Sequence, residues 1–245
     1  MQQIPLPQTI TVNPHEQEAH RAEIVISPCY PGYGTTLGNA LRRVLLSSLP
    51  GAAATAVRIK GVDHEFSTVK GVQEDVIEMI LNVKNVRFQI HSDEPVELQL
   101  KKKGAGPITA ADFDKNALVN VTNPDQVIAT ITDKTIEFQM RVIVQAGRGY
   151  VPVEDREDEK LELGYIAVDA VYTPVRSVNF KTEDVRVGKM TNYDKLILDV
   201  TTDGTTTPEA AFRASAQILV QQFERLTQAD PVEPIVADQP AIETV

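Results

Sequence analysis

The chain of 245 residues has one cysteine, four histidines and fewer basic than acidic side chains, and each shortage closes off a class of function. With Cys29 alone there is no internal disulfide, which fits a reducing compartment, and a lone cysteine is ordinarily a small core hydrophobe. The histidines (His15, His20, His64, His91) are scattered, none at ligand spacing from the cysteine or a second histidine, so no metal site is expected. No run approaches the ~18 apolar residues needed to span a bilayer. The opening "MQQIPLPQTITVNPHEQ" also lacks the basic and apolar regions of a secretory signal. The expectation is a soluble, cytoplasmic protein with no membrane contact. Against 34 Asp and Glu stand 24 Lys and Arg, a net charge of −10. Such a surface repels phosphate backbones and has no counterion release to drive binding, so DNA or RNA is not expected as a direct ligand. No Ser/His/Asp set or paired carboxylates can be singled out, so neither catalytic residues nor a cofactor are expected in this chain.

What is present is strand. "AEIVIS", "TAVRIKGV", "VRFQIHS", "VELQLKK", "VIATITD", "IEFQMRVIV", "YIAVDAVY" and "KLILDV" alternate or are rich in β-branched residues. Only 36–49, 72–84 and 208–226 carry the 3.6-residue period of a helix. Strands in runs rather than in alternation with helices predict an α+β fold with mostly antiparallel sheet. A hydrophobic content of 42% suffices for one large domain or two modest ones.

The last helix opens on Thr207 as cap, Pro208 at its first position and Glu209 in its first turn. Along it Phe212, Leu219 and Leu226 recur every seven residues, with Ile218 and Phe223 alongside, which suits helix–helix pairing as well as packing on a sheet. After it, 229–245 has three prolines, four acids and no base, the composition of a linker. The densest charge cluster, "EDREDEK" at 154–160, reads as a solvated loop.

The stretch "GYGTTLGNALRRVLLSSLPG" at 32–51 places glycines 32, 34 and 38 at a strand-to-helix turn. A phosphate cradle there fits poorly: no Lys-Ser or Lys-Thr pair follows, the spacing misses the dinucleotide fingerprint by one residue, and Pro28 and Pro31 interrupt the turn. On a helical wheel Leu37, Ala40, Leu41, Val44 and Leu45 share a core face, while Asn39, Arg42 and Arg43 lie opposite with Leu46 between the two arginines. An apolar residue flanked by guanidinium groups is the composition of a protein–protein contact. The second helix is two-sided as well: Val72, Val76, Met79, Ile80 and Val83 form a core stripe, and Ile77, Leu81 and Lys84 face the other way.

The segments "GYGTTLGNALRRVLLSSLPGAA", "HEFSTVKGVQEDVIEMILNVK", "GRGYVP", "VDAVYTPV" and "DKLIL" are similar, in this order, to those of the α subunits of bacterial-type RNA polymerase, across roughly 20–228. The resemblance implies a non-catalytic subunit of a nucleotidyltransferase, DNA-directed RNA polymerase. It would be a homodimer that recruits the β and β′ subunits within an enzyme also holding ω and σ, bacterial or plastid-encoded. It implies a dimerisation subdomain of antiparallel sheet and two helices from 1–50 and 175–228, and an inserted, mainly β subdomain over 51–174. A flexible linker would follow at 229–245, with the family's C-terminal DNA-binding domain absent. Position by position, Arg43 and Leu46, with Arg42 and Asn39 on the same face, match the residues that bind β, and Lys84 and Val168 match positions associated with β′. Dimer contacts would come from Leu37, Leu41, Phe212, Leu219, Phe223 and Leu226. The chain departs from the family at 28–30, where Pro28, Cys29 and Tyr30 replace a common Pro-Leu-Glu, and again at 188–192 ahead of "DKL".

Overall fold

The structure is a computed structural model that describes residues 4–156 and 161–228. The expected linker at 229–245 and the second half of the 154–160 charge cluster lie outside the described residues.

A hairpin of β1 (Thr9–Pro14) and β2 (Arg21–Cys29) leads into α1 (Tyr33–Ser47). Next come β3 (Pro50–Ile59), α2 (Val76–Lys84), β4 (Phe88–Ile90), β5 (Val96–Lys103), β6 (Gly106–Thr109), β7 (Val119–Val121) and β8 (Val127–Ile131). They are followed by β9 (Glu137–Arg148), β10 (Tyr150–Val151), β11 (Ile166–Ala167) and β12 (Ala170–Val171). The chain then returns through β13 (Val175–Val187) and β14 (Met190–Thr202) to α3 (Pro208–Thr227). The fold is α+β and its strand pairs are antiparallel.

Two lobes result, each with its own core. The first joins both ends of the described chain in a sheet ordered β1-β2-β14-β13, onto which α1 and α3 pack. Ile24, Leu45, Leu196, Leu198 and Val200 are fully buried there. Each such side chain contributes roughly 1.5–3 kcal/mol of apolar burial, which makes this face of α1 the one that anchors it. The second lobe is built on β5-β9-β3-β4-β7, with β11 added to β3 and small ladders of β10 with β12 and β6 with β8. Val76, Met79 and Val83 of α2 seal its core against Phe88, Ile128 and Met140.

Differences from the sequence reading have local causes. The second helix begins at Val76 rather than residue 72 because Asp75 is extended and accepts a hydrogen bond from the Glu78 amide, 2.7 Å away, and so caps the helix. The single strand expected in "YIAVDAVY" is two short ones, β11 and β12, parted at Val168 and Asp169. Five strands have no counterpart in the sequence reading: β1, the short β6, β7 and β10, and β13. β1 starts among prolines, and β13 is a charged ribbon whose exposed positions outnumber its buried ones.

Candidate docking surfaces

The N-terminus of α1 is closed by the chain's own carboxylate. Gly32 caps the helix at φ +83°, which favours glycine, and the Gly34 amide donates to Asp194 Oδ2 at 2.9 Å. Asp194 thus sits where a phosphate would have to bind. The other two glycines are packing notches: a Cβ at Gly34 would lie 2.8 Å from Asp194 Cβ, and one at Gly38 2.6 Å from the Phe180 ring. Their absence of side chains brings α1 down onto β13 and β14.

On the outer side of α1, the four residues singled out by the wheel differ in what holds them. Arg42 Nε donates to the Val178 carbonyl at 2.9 Å and laces the helix to β13. Asn39 donates back to the Thr35 carbonyl at 3.1 Å. Leu46 is half-buried and leans on the first core. Arg43 is exposed, and among the described residues its guanidinium has no hydrogen bond or ion pair. It is therefore the donor fork on this face that the described residues leave unengaged.

Lys84 and Val168 come together through a residue that the sequence reading missed. Lys84 Nζ lies 3.1 Å from Asp169 Oδ2, and Asp169 Oδ1 accepts from the Val153 amide at 3.2 Å. The hydrogen bond from Lys84 is the largest of the effects that hold the Asp169 carboxyl below the usual carboxylate range. Val168 itself is 3% exposed; its amide donates to the Thr55 carbonyl at 2.8 Å and its carbonyl accepts from the Arg156 guanidinium. Its side chain belongs to the second core, so what this segment presents outward is Asp169. An acidic residue interrupting an apolar strand was the one signal available in the sequence. On α2, Ile77 and Leu81 are exposed beside this pair, as the wheel indicated.

An apolar groove of about 550 Å³ runs between α1, α3 and β1, with Ile10, Leu37, Leu41, Phe212, Leu219 and Phe223 among its walls. Leu41 and Phe212, two of the expected dimer residues, are 5% and 7% exposed and form its floor within the chain's own core. The open surface belongs instead to Val220, Phe223 and Leu226, on a final stretch of α3 whose residues from 220 onward are all exposed.

Among the described residues no group of three His, Cys, Asp or Glu could hold a metal, and no helix is long and apolar enough to cross a membrane. Cys29 is buried, and desolvation pushes its thiol pKa up, the opposite of a nucleophile's tuning.

Comparison with known proteins adds the lineage. Residues 57–173 match the model of the RNA polymerase Rpb3/RpoA insert domain. The DNA-directed RNA polymerase subunit alpha of Aquifex aeolicus is 45% identical over 221 residues, 90% of this chain and 69% of that protein. The chain belongs to the RNA polymerase α-subunit family. Other α subunits are similar to it at the same level: that of Maridesulfovibrio salexigens is 47% identical over 89% of this chain, and that of a Roseiflexus species 47% over 84%. The chain spans 62% and 65% of the lengths of these two relatives. The α-subunit insert match falls on the lobe that carries Lys84 and Asp169, while Arg43 and the apolar groove lie on the other.

Proposed function

We propose that this α-family chain is a non-catalytic assembly platform of DNA-directed RNA polymerase, acting in DNA-templated transcription. Two copies pair through the groove between α1 and α3, and the pair recruits β and β′. The observation that carries this reading is the uncovered apolar end of α3, where Phe223 and Leu226 are 59% and 70% exposed beside a groove that a second copy would fill. Residues 1–50 and 175–228 act as the dimerisation unit, and 51–174 as the insert.

In this reading β docks on Arg43 and Leu46, with Arg42 holding the helix in place and Asn39 at the margin. The β′ subunit docks at Lys84, with Val168 shaping the backbone that presents Asp169. Nucleotidyl transfer resides in the large subunits, DNA is not touched by this part of the chain, and ω and σ join the assembled enzyme. A cytoplasmic setting goes with that role. Co-purification with cognate β and β′, with the mass of the complex read by light scattering, tests the proposal. Two copies of this chain per β are expected, and a monomer that binds neither large subunit would defeat it.

A further inference from the structure

The two lobes face each other across a cleft of about 520 Å³, with Gln89, His91 and Asp93 on one wall and Thr205, Ala210 and Ala214 on the other. Near this cleft, among the described residues, one ion pair crosses from lobe to lobe. Arg87, between α2 and β4, places Nε 3.8 Å from Oδ2 of Asp203, in the turn between β14 and α3. Both side chains are withdrawn from water, at 18% and 6% exposure.

Each partner has its own set of hydrogen bonds, that of Asp203 reaching Pro174 at the boundary between the lobes. The Arg87 amide donates to Asn123 Oδ1 at 2.7 Å and its carbonyl accepts from the Thr122 amide at 2.9 Å. The Asp203 amide donates to the Pro174 carbonyl at 2.9 Å, and Asp203 Oδ1 accepts from the Thr205 amide and hydroxyl at 2.9 and 2.6 Å. These bonds fix the Asp203 carboxylate and the backbone of Arg87, while the Arg87 guanidinium is placed by its burial against Asp203.

We infer that Arg87 and Asp203 form a latch that sets the angle between the lobes, which makes Arg87 a positioning residue for the docking faces on either side. Arg87 Nε is buried without a hydrogen-bond acceptor, and 3.8 Å is too long for one. The attraction is thus coulombic; desolvation is the larger effect and, with the neighbouring charge of Arg176, holds the Arg87 guanidinium pKa below its ordinary value despite Asp203. An apolar pair would cost less to bury. A charge pair is lost once the lobes separate or rotate and water enters, so it favours one angle over its neighbours.

The effect on docking rests on the assembly reading above; the latch itself does not. Hydrogen exchange on the whole chain tests it, comparing wild type with Arg87→Met, Asp203→Asn, the double variant and Arg87→Lys. Amides at 88–93 and 203–206 should exchange about tenfold or more faster in either single variant, with strands β9 and β14 unchanged. The double variant should be no looser than the single ones, and Arg87→Lys should recover most of the protection. Unchanged exchange at those two edges would overturn the latch. So would equal acceleration throughout both cores, since Arg87 would then support only general stability. Loosened edges with wild-type retention of β and β′ would overturn the positioning role, whereas a wild-type chain that captures neither subunit bears on the assembly reading alone.

Discussion

Lys84 donates to the carboxylate of Asp169 across 3.1 Å, joining the end of α2 to a break between two short strands 85 residues further along the chain. The contact joins Lys84 to the neighbour of the buried Val168 in one surface feature with a cation, an anion and the exposed apolar residues Ile77 and Leu81.

Replacing Lys84 should separate recognition from stability. The side chains are 25% and 33% exposed, so the pair contributes no more than about 1 kcal/mol. Lys84→Met should unfold in urea within that margin of wild type while losing β′ in a capture assay. A variant that keeps β′ would remove Lys84 from the docking face.

The same pair gives a pH signature. Asp169 is held below its ordinary value of 3.8, so its contribution is fully present above that value and is lost as pH falls through the lower folded-state value. The difference in unfolding free energy between wild type and Lys84→Met should therefore be constant at neutral pH and shrink below about pH 3.8. Urea titrations between pH 7 and pH 2 read this directly; a difference that widens with acid would contradict the pairing.

Gly38 sits inside a helix, where alanine ordinarily stabilises by up to about 1 kcal/mol. Here the added Cβ would meet the Phe180 ring at 2.6 Å, and overpacking of this kind costs about 1–3 kcal/mol. The steric term should win: Gly38→Ala is expected to lower the urea midpoint. A rise would mean that α1 can lift from β13 without loss.

Much of this was legible from local pattern. The period of α3, its Thr207 cap and the core face of α1 follow from residue spacing, and all three lie within single elements. Contacts between distant segments left no such trace. The glycines at 34 and 38 look like a loop motif until Asp194 and Phe180 are brought against them from β14 and β13. β13 escaped notice because its outward charges hide the inward set of Val175, Val178 and Phe180. Arg42 and Arg43 are adjacent in sequence, yet only the position of the Val178 carbonyl tells which of them is already engaged.

Phe223 tests the paired state. It is 59% exposed, so Phe223→Asp should leave the folded chain within about 0.5 kcal/mol of wild type. Light scattering should nevertheless report a monomer, because the buried carboxylate would face the apolar groove of a second copy. A mass equal to the wild-type dimer would take this end of α3 out of the interface.

The central claim, that α1 turns one face to its own sheet and offers the other to β, is tested most directly by co-purifying wild type and Arg43→Ala with a cognate β subunit and reading the mass of each complex. Wild type should carry two 26.9 kDa chains per β, and Arg43→Ala should remain a folded dimer that releases β. Full retention of β by that variant, or its collapse to an unfolded monomer, would contradict the account.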